Sequence, residues 1–259
     1  MASTEDVTKI IHPDKYPNTS LLLSDKNLGF AGGNNWGMRQ AKGDLFFIVN
    51  NDTVMTEYLL DNLLKPFTED RTIGVTSPKI MYYHHPDTIQ YAGFFPMNKY
   101  TGRTTVRGEL EKDSGQYNIS GSTSGSHGCA MLVKKEVADT TGMFPEKFFL
   151  YYEEWDWSAR ILKAGYKIYY QSKGLIYHKE SITMGKQSAV KVYYHTRNRI
   201  LYMRRNTGFF QFLFFMLFFV FVSTPKAIFK FIFTKQFRHL NSYFKGATWN
   251  LTQSKYSPV

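Results

Sequence analysis

The chain has 259 residues, enough for one ordinary domain and an appendage. Residues 1–180 carry 20 Lys and Arg against 21 Asp and Glu, whereas residues 181–259 carry 12 Lys and Arg and no acid; a nearly neutral domain with a basic tail argues against a nucleic-acid-binding core and for a tail that meets an anionic surface. The single cysteine, Cys129, excludes an intrachain disulfide, suggests no zinc cluster and fits a reducing compartment.

Residues 1–20 are polar and show no secretory leader. A helix is expected over residues 1–11, with Ser3 or Thr4 as N-cap and Glu5 and Asp6 in its first turn. Leu21-Leu22-Leu23 reads as a short buried strand. Asn27-Leu28-Gly29-Phe30-Ala31-Gly32-Gly33-Asn34-Asn35 follows, a Gly-rich turn that opens a helix to about Lys42. Its glycines allow close approach of backbone to a ligand. Phe46-Phe47-Ile48-Val49 is an unbroken apolar run, expected as a strand buried on both faces, and it leads into Asn50-Asn51-Asp52. Two readings are open there: an Asn/Asp turn, or a carboxylate held at a sheet edge to grip a cation.

Leu59, Leu60, Leu63, Leu64 and Phe67 fall at helical spacing, and residues 73–80 read as another strand. Residues 81–127 show little periodicity and read as long loops and a hairpin over the sheet, with His84 and His85 facing solvent. Residues 129–133 form a further strand and residues 134–140 a short helix. The aromatic run from Phe148 to Tyr152 ends in Glu153, Glu154 and Asp156, and a helix follows to Ala164, stopped by Gly165. These acids suit either a helix N-terminus or an active site, and Asp156 is also spaced to pair with Arg160. Residues 166–170 and 175–177 look like edge strands, with His178 just beyond. A helix is expected over residues 185–206. Residues 209–222 are Phe-rich and apolar apart from Gln211, and Lys226, Lys230 and Lys235 punctuate a second apolar patch. That segment spans a bilayer with strain, lies in the headgroup layer, or is a buried core helix.

Asp52, the acid cluster and His178 then fall at the same kind of place, the carboxyl end of a strand. A carboxylate and an imidazole suit Mg²⁺ or Mn²⁺ and leave room for phosphates; a further carboxylate suits a general base.

At these residues the chain resembles the family 2 glycosyltransferases, especially the rhamnosyltransferase-like branch. The segment from Asn27 to Asn35 is similar to that branch's loop on the nucleotide side. Asn50-Asn51-Asp52 stands where the family carries Asp-x-Asp, Phe148 to Arg160 resembles its aromatic and acidic signature, and His178 falls at its late histidine. The resemblance covers roughly residues 2–205, leaving residues 206–259 as a membrane-associating tail. It implies an α/β, GT-A type open and mostly parallel sheet flanked by helices. It implies an inverting, metal-dependent transfer of a sugar, hexosyl or rhamnosyl in type, from a nucleotide-diphosphate donor to a hydroxyl of a glycan or lipid-linked glycan acceptor. Such a transfer belongs to cell-surface polysaccharide synthesis at the cytoplasmic face of the membrane.

On that resemblance Asn27, Gly32, Gly33, Asn35, Asn50 and Asp52 would line the nucleotide sugar, and Asp52 and His178 would hold Mg²⁺ or Mn²⁺. Glu154 would be the catalytic base, flanked by Glu153 and Asp156. Family members begin with a strand, a helix and a second strand ending in Asp-Asn-x-Ser-x-Asp, of which residues 2–6 resemble only the end. The chain is therefore expected to lack the first strand-helix unit and to expose a sheet edge. A catalytically inactive remnant or a sugar-nucleotide or membrane-binding module is the alternative expectation.

Overall fold

The computed structural model describes residues 15–179 and 188–256; the helix expected over residues 1–11 lies outside them. Helix α1 (Gly29–Gln40) leads into strand β1 (Leu45–Val49) and the short β2 (Thr53–Met55). Next come α2 (Leu59–Glu69), β3 (Ile73–Tyr82), β4 (His85–Tyr91), β5 (Gly121–Thr123) and β6 (Ala130–Lys134). Helices α3 (Lys135–Thr141) and α4 (Glu153–Lys163) precede β7 (Lys167–His178). The remainder is helical: α5 (Ala189–Asn206), α6 (Phe209–Phe218), α7 (Thr224–Phe233) and α8 (Phe237–Thr252). A π turn joins α6 to α7, so Phe209–Phe233 runs as one helix of 25 residues.

The strands form one sheet in the order β1-β6-β3-β7-β2, with β4 added to β3 and β5 to β7. The α/β class and the open, helix-flanked sheet stand. The sheet is mixed rather than mostly parallel: β3 and β7 run parallel, and the other described pairs are antiparallel. An unbroken apolar run records burial on both faces, which a central antiparallel strand shares with a parallel one.

Strand β1 shows how the layers are built. Phe46 and Ile48 face Met38 of α1, Val137 of α3 and Trp157 of α4. Leu45 and Phe47 face the opposite way, onto Leu59 and Leu63 of α2. The two-residue period of a strand thus puts three helices on one face and α2 on the other.

Two expected elements differ. Leu21-Leu22-Leu23 is not a strand; Leu22 and Leu23 are 38% and 50% exposed. A short apolar run needs a partner edge, and no described strand pairs with it. The two edge strands expected after residue 165 are a single interior strand, β7, bordered by β2, β3 and β5. A bulge in the β3 register between Pro78 and Lys79 absorbs the polar interruption at residues 171–174. At one end of the sheet β1 pairs with β6 alone among the described strands. A groove of about 310 Å³ runs beside it, lined by Gly33, Gly37, Met38 and β1 itself.

The basic C-terminal segment is packed against the domain. Helix α8 lies so close to α5 that a Cβ on Gly246 would fall 2.6 Å from the Tyr193 carbonyl oxygen. Gly246→Ala is expected to cost about 1–3 kcal/mol, read as a lower urea midpoint at an unchanged slope; an unchanged midpoint would mean that α8 does not dock on α5.

Candidate functional site

Asp52 sits between β1 and β2, and the β2–β7 register places its neighbour Thr53 opposite His178. The Lys179 N–H donates to the Asp52 carbonyl at 2.9 Å. This pairing brings two residues far apart in sequence together, with His178 Nε2 3.1 Å from Asp52 Oδ1. The Asp52 side chain is 50% exposed and that of His178 is 6% exposed, so the pair opens to solvent on the carboxylate side.

Behind the ring, His178 Nδ1 lies 2.9 Å from Gln90 Oε1 on β4. A carbonyl oxygen only accepts, so Nδ1 carries the hydrogen, and in the neutral ring the Nε2 lone pair faces Asp52. A lone pair and a carboxylate at that separation repel unless a proton or a cation lies between them. An imidazole nitrogen and a carboxylate oxygen, with a carbonyl orienting the ring from behind, suit a divalent metal such as Mn²⁺. Among the described residues no group of three or more His, Cys, Asp or Glu forms a fuller protein cage. A metal held here would keep positions for phosphate or water oxygens.

The acid cluster is built differently from the expectation. It follows no strand. Glu146–Phe148 is a 3₁₀ turn, and Phe149, Tyr151 and Tyr152 take left-handed φ values of 64°, 68° and 75°. Such conformations cost about 1–3 kcal/mol each and persist where surrounding contacts over-determine them. Helix α5 supplies those contacts. Arg197 Nη2 donates to the carbonyls of Lys147 and Phe148 at 2.9 and 2.6 Å. Asn198 Nδ2 reaches the carbonyls of Phe148, Leu150 and Tyr151 at 3.0, 2.7 and 2.7 Å.

The three acids of α4 then separate into two roles. Glu153 is buried, its Oε2 has no partner among the described residues, and burial together with the Glu154 charge pushes its carboxyl well above the usual range. Glu154 is half-buried, and desolvation pushes its carboxyl up to about 7. Asp156 is 1% exposed, and both of its oxygens are occupied. Arg205 Nε donates at 2.7 Å, Asn206 Nδ2 at 2.8 Å, and Arg160 Nε and Arg205 Nη2 at 3.1 Å each. Asp156, expected beside the base, is instead an ion-pair anchor that ties α4 to α5, because four donors from three side chains leave it no face toward a ligand.

The Gly-rich segment is also corrected. A Cβ on Gly29 would lie 2.4 Å from the Phe149 carbonyl oxygen, and that carbonyl accepts from the Phe30 N–H at 2.8 Å. The close backbone approach that the glycine allows is used by the protein's own loop. Asn27 Oδ1 accepts from the Gly29 N–H at 3.0 Å. A Cβ on Gly32 would meet the Leu28 Cβ at 3.0 Å. Buried Asn35 donates to the Phe144 carbonyl at 2.8 Å and accepts from the Phe144 N–H at 3.0 Å. Asn27, Gly32 and Asn35 therefore have capping and packing roles, while Gly33 opens onto the groove beside β1. Asn50, half-buried at the end of β1, donates its N–H to the Cys129 carbonyl at 2.9 Å.

Two residues near Asp52 and His178 escaped the sequence reading. Gln90 is the polar residue between buried Ile89 and Tyr91, and that position was the signal available. His127 accepts from the Cys129 N–H at 3.1 Å, and burial, with the nearby His178 charge, brings it down to about 4.

The sequence profile described as Glycosyl transferase family 2 matches residues 2–142. That span includes Asp52 but not Glu153, Glu154 or His178. No curated protein matches the chain by sequence. Among solved structures, GalNAc-T7 with UDP, GalNAc and Mn²⁺ aligns with a TM-score of 0.56 and 13% identity over 76% of this chain and 40% of that one. At that identity the likeness shows the fold alone. The mannosyltransferase PcManGT of Pyrobaculum calidifontis, in complex with GDP-Man and Mn²⁺, aligns at 0.48 with 14% identity over 93% of this chain and 61% of that one. S. aureus TarS 1–349 aligns at 0.49 with 13% identity over 97% of this chain and 80% of that one. Scores below one half carry no argument. The chain spans less than two thirds of the length of GalNAc-T7 and of PcManGT.

Asp156→Ala leaves buried cations unpaired and is expected to cost about 3–5 kcal/mol, whereas half-exposed Asp52→Ala is expected to cost about 0–1 kcal/mol. Urea unfolding of the two variants checks the division; equal losses would contradict it.

Proposed function

The chain belongs to glycosyl transferase family 2, and on that premise we propose that it moves a sugar, hexosyl or rhamnosyl, from a nucleoside-diphosphate donor to an acceptor hydroxyl in cell-surface glycan synthesis, inverting the anomeric configuration. One observation carries the reading: Asp52 and His178 meet at 3.1 Å on the open end of the sheet, with Gln90 orienting the imidazole.

Asp52 and His178 would hold the divalent cation, Mn²⁺ or Mg²⁺. When bound, it supplies positive charge where negative charge grows on the departing diphosphate. Asn50, beside them, lines the donor. Glu154 takes the proton from the acceptor hydroxyl. The hydroxyl oxygen forms its bond to the anomeric carbon from the face opposite the diphosphate, whose bond to that carbon breaks with its electron pair. A single displacement of this kind inverts configuration. Glu154 is suited to the work because its carboxyl titrates near neutral pH while it remains partly open to solvent. Burial and the Glu154 charge hold the neighbouring Glu153 carboxyl well above the usual carboxylate range.

A second reading, a sugar-nucleotide-binding or inactive form, is favoured by the open edge of β1 and the groove beside it. Donor hydrolysis with Mn²⁺ separates the two, since the second reading predicts none. In the first, Asp52→Ala abolishes hydrolysis, and Glu154→Gln lowers transfer by about 10²–10⁴-fold. The Glu154 base form is lost as pH falls through about 7, so kcat/KM of the unaltered protein declines below that pH. The residual rate of Glu154→Gln stays flat there. A Glu154→Gln variant with the unaltered pH profile would remove Glu154 from the role of base.

We also place the protein at the cytoplasmic membrane face, with Phe209–Phe233 lying in the interface. On its outer side Phe209, Phe210, Phe221, Phe229 and Phe233 are 63–79% exposed, whereas Phe215, Phe219 and Phe231 are buried against the domain. At 1.5 Å per residue the helix is about 37 Å long, enough to cross a bilayer. Its packed inner side favours lying flat with the outer rings in the acyl boundary. Replacing Phe210, Phe221 and Phe233 with Ser is expected to abolish sedimentation with anionic vesicles; unchanged sedimentation would overturn the placement.

A further inference from the structure

Between the first turn of α4 and the apolar helix lies a cavity of about 430 Å³, within the range of ligand sites. Arg103, Arg199, Lys226 and Lys230 line it, and among the described residues no Asp or Glu does. Among the described residues none of these four cations forms an ion pair.

Arg199 is held in place. Its Nε donates to the Thr101 carbonyl at 2.7 Å, and its guanidinium rests against the rings of Phe215, Phe218 and Phe219. Burial brings it down to about 10, which leaves it charged at neutral pH. His195, also in the lining, has a buried Nε2 with no partner among the described residues. Burial brings that imidazole down to about 4, so it is neutral at pH 7 and can donate or accept a hydrogen bond.

Two features say what would enter. Lys226 and Lys230 are four residues apart on one helix face, each followed three residues later by an exposed phenylalanine, Phe229 and Phe233, so the cations line the cavity at the border of an apolar surface. Tyr152 lines the same cavity and directly precedes the acid pair; its phenol is pushed up to about 12, chiefly by burial, with the Glu154 charge contributing. The cavity therefore reaches from the membrane-facing helix to the turn that bears the proposed base.

We propose that this cavity binds the diphosphate of a lipid-anchored acceptor, which joins a hydrocarbon lying along the exposed face of Phe209–Phe233 to the group that is glycosylated. The inference rests on the glycosyl-transfer reading and adds the acceptor's chemical class to it. Arg103, Arg199, Lys226 and Lys230 neutralise the phosphate, His195 hydrogen-bonds to it, and the group to be glycosylated hangs toward Glu154.

The test uses the full chain without donor or metal. Binding is measured to phosphatidylcholine vesicles containing either phosphatidic acid, which ends in a phosphate monoester, or phosphatidylglycerol, at matched surface charge. The unaltered protein is expected to prefer phosphatidic acid, and inorganic pyrophosphate is expected to displace it. Lys226→Ala with Lys230→Ala, substitutions a helix accepts, is expected to weaken phosphatidic-acid binding by about tenfold or more. Lys235→Ala with Arg238→Ala, the same charge removed from outside the cavity lining, is expected to weaken it by far less. Equal loss in the two double variants, or no preference between the anionic lipids, would mean diffuse charge attraction and would overturn the proposal. Pyrophosphate binding that the Lys226 and Lys230 changes weaken, without any vesicle preference, would make the ligand a free phosphate and overturn the lipid source. Donor hydrolysis by the unaltered protein tests the glycosyl-transfer reading separately, so either can fail alone.

Discussion

The grip of α5 on the aromatic loop before α4 is the contact on which the site depends. Arg197 and Asn198 take up the carbonyls of a loop containing three residues in left-handed conformation. The Phe148 carbonyl also accepts from the Leu150 N–H at 2.7 Å, and a buried carbonyl left without a donor costs about 1–3 kcal/mol. The same helix closes on α4 through Arg205 and Asn206, both bound to Asp156. One helix thus fixes the start of α4, and with it the direction in which Glu153 and Glu154 leave the backbone.

The two halves of the site are held by different physics. Asp52 and His178 are brought together by strand register, which is rigid and cooperative, with Gln90 bracing the ring. Glu153 and Glu154 are held by a strained turn and pay in desolvation, so their carboxyls keep protons that exposed carboxyls would lose. Asp156 lies within a few residues of them and is ionically satisfied. Neighbouring acids on one helix therefore differ in chemistry because their surroundings differ, not because their side chains do.

The C-terminal helices join these halves to the surface proposed to meet the membrane. Gly246 lets α8 touch the backbone of α5. Helix Phe209–Phe233 then rests on that pair, turning a few rings inward and most of them outward. The basic residues of this region, which make a single charge block in the sequence, are divided by folding. Arg197 and Arg205 are structural, while Arg199, Lys226 and Lys230 face a cavity.

By itself the sequence determined the strands and helices whose periodicity is local: β1, α2, β3, β6 and α5. It also singled out Asp52 and His178, which the fold brings to 3.1 Å, since a polar residue at the end of an apolar run is visible without knowing its neighbours. Tertiary structure alone decided the roles of Asn35 and Asp156. Their partners, Phe144 and Arg205, lie 109 and 49 residues away, and no local pattern encodes such a match. It decided that Gly29 makes room for Phe149 rather than for a ligand, and that the Phe148–Tyr152 run is a left-handed turn rather than a strand. The physical reason is common to all of these: burial and hydrogen-bond satisfaction depend on the groups that converge in space, whereas periodicity depends only on order along the chain.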